Sequence, residues 1–216
     1  MKKALLILLV LVVALVAILF INTARFKSVQ IVKPDGQRRT LAVDDSAVQH
    51  LSQAIQINTV SYDDTTVVNQ AGFDSFFTFL KTTYAPVFAM VDDTIINSRS
   101  LLLTWPGKNT SAKPVILYAH LDVVPIEENT RSKWTHNPFG GEVIDGYIWG
   151  RGALDDKGSV ISIFEALKKL QATGFVPERT VYFAFGSDEE VGGTKGAAAI
   201  AAYLQAQGIH FEFYMD

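Results

Sequence analysis

The chain of 216 residues contains no cysteine. This absence excludes disulfide bonds, thiolate nucleophiles and cysteine-ligated zinc, and it leaves histidine, aspartate and glutamate for any metal chemistry. Clusters of lysine and arginine are also missing, and the net charge at pH 7 is only -3. Because polyanions are bound through such clusters, no nucleic acid partner is expected. Apolar residues make up 49% of the chain, which is typical of a globular protein.

One long segment near the N-terminus lacks polar side chains altogether. Eighteen apolar residues, Ala4 to Ile21, follow the basic Lys2 and Lys3. A helix of this length covers roughly 27 Å, close to the hydrocarbon thickness of a bilayer. Residues 1–24 are therefore predicted to be a transmembrane signal anchor, with the body of the protein on the extracytoplasmic side. The alternative is a signal peptide and secretion, although no small-x-small cleavage site stands out.

The rest of the chain is predicted to comprise a juxtamembrane connector at residues 25–43 and a folded portion at residues 44–216. Strand-like runs alternate there with helical patterns, which predicts an α/β three-layer sandwich around a mixed, mainly parallel sheet. Gly174 and Gly208 are expected to end two of the helices. The helices are predicted at residues 44–55, 73–80, 157–172 and 195–207. The strand-like runs are VFAMV, SLLLTW, PVILYAHLD, GEVIDGYIWG, TVYFAFGSDEE and FEFYMD.

Four of these runs end in, or are shortly followed by, a histidine or acidic residues. These histidine and acidic residues are His120, Asp122, Asp155, Glu189, Glu190 and Asp216. Since the carboxyl ends of parallel strands meet at one edge of a sheet, these side chains are expected to converge. Each alone has a structural explanation, such as capping the helix that begins at Lys157 or forming a solvated acidic loop. Together they are a ligand set suited to divalent zinc, manganese or cobalt.

Three motifs carry a resemblance to a known family. They are YAHLDVVP, WTHNPFGGEVIDGYIWGRGALDDKG and FAFGSDEEVGG, in this order. They resemble the dinuclear zinc metallopeptidases of the aminoacylase, carboxypeptidase S and succinyl-diaminopimelate desuccinylase type. The likeness covers about residues 47–216. The motif GALDDKG and the predicted N-terminal anchor are most similar to those of the carboxypeptidase S and N-acyl-amino-acid hydrolase branch.

The resemblance implies a site with two Zn²⁺ ions, for which Co²⁺ or Mn²⁺ are substitutes, and no other cofactor. The implied metal ligands are His120, Asp155, Glu190 and Asp216. Asp155 would bridge the two ions. Asp122 would orient the ligating histidine, and Glu189 would be the general base.

The implied activity is hydrolysis of amide bonds in small peptides or N-acyl amino acids. A metal-bridged hydroxide would attack the carbonyl, and Glu189 would carry the proton to the leaving nitrogen. Neighbouring side chains of an extended segment point to opposite sides, so Glu190 is expected to face the metals and Glu189 the substrate. The alternative is a catalytically inactive membrane-anchored fragment or binding module that keeps the fold.

The sequence also departs from the family. Members supply a further histidine ligand and a second domain, used for dimerisation and closure over substrate, and neither is found here. The chain is therefore expected to be the N-terminal portion of a longer protein, homodimeric when complete, and by itself to bind zinc poorly and hydrolyse little. His136 is expected to pack in a loop or lie near substrate, and His50 and His210 are expected at the surface.

Overall fold

The computed structural model describes residues 2–26, 42–63, 67 and 69–216. The chain divides into two compact units, Met1–Ala42 and Val43–Asp216. The first contains α1 (Lys2–Arg25). The second contains α2 (Asp45–Gln56), α3 (Gln70–Thr83), α4 (Ala85–Phe88), β1 (Asp92–Ile96), β2 (Ser100–Trp105), β3 (Val115–His120), α5 (Glu128–Arg131), β4 (Glu142–Ile144), β5 (Tyr147–Trp149), α6 (Lys157–Ala172), β6 (Val181–Gly186), a 3₁₀ turn (Glu189–Val191), α7 (Ala197–Ala206) and β7 (Tyr214–Met215).

The helix α1 is long and apolar enough to cross a membrane. A signal sequence near an N-terminus can also be long and apolar, so this property fits both an anchor and a leader. Most of the predicted connector, residues 27–41, lies outside the described residues.

Five strands form one mixed sheet in the order β1-β2-β6-β3-β7. The strands β6, β3 and β7 run parallel to one another. The strand β2 pairs antiparallel with both β1 and β6. His120 is paired with Gly186, so the carboxyl ends of β3 and β6 are level at one edge of the sheet. The loops after these two strands therefore begin side by side.

Helices cover both faces of the sheet. On one face, a large core cluster joins the sheet to α2, α3, α4 and α6. Phe164 of α6 belongs to this cluster, with its ring centroid 5.0 Å from that of Tyr84 and 5.4 Å from that of Phe185. On the other face, α7 buries Ile200 and Leu204 against the sheet. Each such apolar side chain contributes roughly 1.5–3 kcal/mol when it is fully buried. The predicted three-layer α/β sandwich is confirmed.

The strongest helical patterns form the predicted helices. α6 spans Lys157–Ala172, as its periodicity predicts. Gly174 follows its C-cap with φ 67°, and this left-handed conformation ends the helix at little cost because glycine has no Cβ. Gly208 does the same after α7 with φ 69°.

Two predicted strands differ in the structure. The run VFAMV is not a strand, because the short helix α4 already includes its first residues. A proline in the first turn of α4 favours this outcome, since its fixed φ suits a helix start. The run GEVIDGYIWG forms a separate hairpin of β4 and β5 outside the main sheet. Its turn residues Asp145 and Gly146 have φ 53° and 80°, as a tight hairpin turn requires.

Candidate metal centre

A histidine and two carboxylates converge at the carboxyl edge of the sheet. His120 ends β3, Asp155 lies just before α6, and Glu190 lies in the 3₁₀ turn after β6. One ligand atom from each residue lies within 4.8 Å of the other two. The Nε2 atom of His120 is 2.9 Å from Oδ1 of Asp155. One imidazole nitrogen and two carboxylate oxygens are donors that fit zinc and similar divalent ions.

Asp122 sets the orientation of the His120 ring. The Nδ1 atom of His120 is 3.1 Å from the backbone oxygen of Asp122 and 3.3 Å from its Oδ1. A proton on Nδ1 is thus directed towards Asp122, which leaves Nε2 for a metal. Ligating histidines characteristically use a carboxylate or carbonyl in this way. The side chain of His120 is only 8% exposed, so its ring has little freedom to turn.

Asp122 also holds the acidic turn. Its Oδ1 accepts a hydrogen bond from the backbone N–H of Glu189 at 3.1 Å, and its Oδ2 accepts one from Glu190 at 3.2 Å. The carboxylate is fully buried, so these donors take the place of water. The motifs do not reveal this second role. Only the burial expected of a residue two positions after the end of a core strand hints that Asp122 needs several partners.

The segment Glu189–Val191 is a 3₁₀ turn and not an extended strand end. The prediction that Glu189 and Glu190 point to opposite sides assumed an extended backbone, and that assumption is wrong. In a 3₁₀ turn, successive side chains are rotated by about a third of a turn around the helix axis. The backbone curls here because the carboxylate of Asp122 binds two consecutive N–H groups. Glu189 remains near the cluster, with Oε2 3.8 Å from Nε2 of His120 and a side chain that is 52% exposed.

The side chain of Asp156 binds another segment and does not cap α6. It occupies the N-cap position of α6 but makes no side-chain capping bond. Its Oδ2 instead accepts a hydrogen bond from the backbone N–H of His120 at 3.0 Å. Asp155, next to it, reaches the cluster from the loop that follows the β4–β5 hairpin, and not from the end of a strand in the main sheet. The position of Asp155 beside His120 therefore depends on this loop more than on the alignment of the strands.

The charges of the cluster favour a bound cation. Burial acts to lower the pKa of His120, but Asp122, Asp155 and Asp156 outweigh it and raise this pKa to about 9. Burial and the neighbouring Asp155 raise the pKa of Glu190. A divalent ion would replace the proton on the imidazole and relieve the repulsion between carboxylates. The residues present therefore fit a metal.

Asp216 is not one of the three residues of this cluster. Among the described residues, the group of possible ligands contains His120, Asp155 and Glu190 and does not include Asp216. Asp216 directly follows β7, whose pairing with β3 ends at Leu117 and Met215.

The other histidines lie elsewhere. His50 was predicted to lie at the surface but is partly buried. Its Nδ1 is 2.5 Å from Oε1 of Glu165, and its side chain is only 18% exposed. His136 packs in its loop, as one of the two predicted environments requires. Its Nδ1 is 3.1 Å from Oε2 of Glu142, and its ring centroid is 4.6 Å from that of Trp149. His210 is exposed, as predicted.

Residues 116–216 match the model of peptidase family M20/M25/M40. The match includes the motif HLD at residues 120–122 and the motif SDEE at residues 187–190, which contain His120 and Glu190 of the cluster. These residues therefore carry a peptidase M20 domain. This M20 chain is 41% identical over 214 residues to the probable carboxypeptidase S-like 2 of Dictyostelium discoideum, which covers 95% of the chain and 41% of that relative. It is 39% identical over 168 residues to the N-fatty-acyl-amino acid synthase/hydrolase PM20D1 of Mus musculus, with coverage of 77% and 33%. The predicted family and branch are confirmed.

A solved structure supports the fold of this M20 chain. The M20 family metallo-carboxypeptidase Sso-CP2 from Sulfolobus solfataricus superposes with a TM-score of 0.61 at 20% identity, over 80% of this chain and 37% of that one. The chain thus spans between about one third and two fifths of the length of each of these three proteins.

Proposed function

We propose that the protein is a metal-dependent hydrolase that cleaves amide bonds of small peptides or N-acyl amino acids. The observation that carries this proposal is the convergence of His120, Asp155 and Glu190 within 4.8 Å at one edge of the sheet. Membership of a peptidase family and relatives named as carboxypeptidase S-like and as an N-fatty-acyl-amino acid hydrolase support the class of substrate.

The metal that we propose is zinc, with cobalt or manganese as substitutes, and two ions in the complete site. His120, Asp155 and Glu190 would hold the ions, and Asp216 would supply a further carboxylate. When bound, zinc lowers the pKa of water towards 7 and polarises a carbonyl group. Asp122 would keep Nε2 of His120 free for it.

Glu189 is the residue that we propose as general base. Its carboxylate is half-exposed at the rim of the cluster, so substrate and water have access to it. The backbone bond to buried Asp122 keeps its main chain in place while the side chain remains free to move. It would take a proton from the attacking water and deliver it to the leaving nitrogen.

Two isosteric variants of the acidic turn test this division of roles. In the full-length protein, Glu189→Gln should leave zinc affinity by calorimetry unchanged and abolish hydrolysis of an N-acyl amino acid followed by mass spectrometry. Glu190→Gln should weaken zinc binding itself, because it removes a ligand charge. Wild-type protein that takes up no zinc would overturn the proposal. Tight zinc binding without turnover, equal in wild type and Glu189→Gln, would overturn the enzymatic part and favour a binding module.

We also propose that α1 is an uncleaved signal anchor and that the folded unit lies on the extracytoplasmic side. Its length, its composition and its first two residues, Lys2 and Lys3, support this orientation. The intact protein should stay in the membrane pellet after carbonate extraction, with its original N-terminus by sequencing. A shortened N-terminus on soluble protein would show cleavage and contradict the anchor.

A further inference from the structure

The side chain of Lys157, the first residue of α6, is fully buried. No carboxylate lies within ion-pair distance of its ammonium in the part of the chain that the structure describes. Burying an ammonium group is costly unless hydrogen bonds replace its water. Its position therefore needs other partners.

Those partners are carbonyl groups at the end of another helix. The Nζ atom of Lys157 donates to the backbone oxygen of Ala54 at 2.8 Å and also to that of Ile57. It lies 5.0 Å from the ring centroid of Phe76. Ala54 is in the last turn of α2, and Ile57 is its C-cap. The last carbonyls of a helix lack intrahelical partners and form the negative end of its dipole, so an ammonium group binds well there.

This bond lies close to the metal centre along the chain, because Lys157 follows Asp155 and Asp156 directly. The preceding loop closes around the lysine. The N–H of Gly158 donates to the oxygen of Gly152 at 3.3 Å, and a Cβ at Gly152 would lie 3.3 Å from Cδ of Lys157. The segment that carries the ligand is thus fastened to the end of α2.

The carboxylate of Asp155 needs this support from its backbone. Its side chain is 75% exposed, and within the described residues its hydrogen-bond partner is Nε2 of His120, the atom that a metal would occupy. The two residues that follow Asp155 are both attached: Asp156 binds the backbone of His120, and Lys157 binds α2. Once a metal separates the carboxylate from the ring, these two attachments define its place.

We propose that Lys157 is a positioning residue of the metal centre: its bonds to the terminal carbonyls of α2 hold Asp155 where it meets the same ion as His120 and Glu190. This inference rests on the proposed metal-dependent function. It also makes α2, the first helix of the folded unit, a part of the support of the site.

The variant Lys157→Met tests the inference, because it keeps the length of the side chain and removes the ammonium group. Zinc affinity of the full-length protein should fall about 10- to 100-fold, the range found when supporting residues of metal sites are replaced. With cobalt as the probe, the visible absorption spectrum should change, because a displaced carboxylate alters the coordination. A residue that only stabilised the fold would lower Tm and change neither readout.

His50→Ala is the matched control. The contact of His50 with Glu165 also joins α2 to α6, but it lies two turns further along α6 from the site. It should lower Tm and leave zinc affinity and the cobalt spectrum unchanged. If Lys157→Met does not fold by circular dichroism, Lys157→Gln takes its place, since its shorter uncharged side chain fits the buried space and keeps an N–H donor but removes the ammonium group.

The outcomes separate the inference from the proposed function. Wild-type protein that binds no zinc overturns both. Wild-type protein that binds zinc, with an affinity that the Lys157 variant matches, overturns the inference alone. Equal losses of zinc affinity in the Lys157 and His50 variants would also overturn it, because they would show a general effect of α2–α6 packing.

Discussion

The substitution Asp122→Asn changes one buried carboxylate that has three contacts at the metal centre. Its Oδ1 lies 3.3 Å from Nδ1 of His120 and accepts the N–H of Glu189 at 3.1 Å. Its Oδ2 accepts the N–H of Glu190 at 3.2 Å. Asparagine keeps one oxygen and replaces the other by an NH₂ group. The NH₂ group would then face the backbone N–H of Glu189 or Glu190, and water does not reach this buried place to accept from either donor.

The size of the stability loss follows from these contacts. A hydrogen bond to a charged group contributes about 1.5–3 kcal/mol, and the variant loses one such bond together with the charge beside the imidazole. We expect the free energy of unfolding of the metal-free protein to fall by about 2–3 kcal/mol. For a folded unit of this size, that corresponds to a decrease in Tm of roughly 4–12 °C.

The pKa of His120 provides the more specific readout. Burial lowers this pKa, and Asp122 is first among the groups that raise it from 6.5 to about 9. Because the folded-state pKa is raised, the stabilisation is fully present below pH 6.5 and is lost as the pH rises through about 9. In the variant the pKa should fall and the dependence of stability on pH should flatten. NMR titration of the four imidazoles and urea denaturation on either side of this window measure both effects.

Asp188→Asn is the matched control for the pKa. Asp188 is also a buried acid, and its carboxylate accepts the N–H groups of Lys195 and Gly196 at 2.7 Å each. It should lose comparable stability and leave the pKa of His120 unchanged. An unchanged pKa in Asp122→Asn, or an equal decrease in the control, would refute the reasoning.

Three further predictions concern the site and the core. Zinc affinity should rise about tenfold per pH unit up to about pH 9, because zinc must displace the proton of His120 below that pH. Competition with a chelator measures this affinity, and an affinity that does not change with pH would contradict the prediction. Tyr84→Phe removes a buried hydroxyl that donates to Glu165 at 2.9 Å and should cost about 1.5–3 kcal/mol in urea denaturation. Gly72→Ala should prevent native folding by circular dichroism, since its Cβ would lie 1.8 Å from the backbone oxygen of Asn58, and a native Tm would show this packing to be wrong.

The helices were predicted well where local signals agree. The bounds of α6 follow from apolar spacing at its core face and from Gly174 after its C-cap, and all of these signals lie within the helix or next to it. The run VFAMV failed because five apolar residues have no period that separates a strand from a helix. The adjacent helical turn at Ala85–Phe88 decided the outcome.

The members of the candidate site were also visible in the sequence, but their arrangement was not. The motifs around His120, Asp155 and Glu190 named the residues that come within 4.8 Å. The relation between Glu189 and Glu190 was predicted from an extended backbone. That prediction failed because a residue of another strand loop, Asp122, bends the turn around its carboxylate.

By itself, the sequence determined the class of fold, the family and the side chains available for metal binding, because periodicity and side-chain chemistry are properties of short segments. Only the tertiary structure decided that Asp122 supports the acidic turn, that Asp156 binds the backbone of His120, and that Lys157 fastens its segment to α2. These contacts join residues 67, 36 and 103 positions apart. A buried charge takes whichever partners the packed chain brings to it, and no local pattern records which they are.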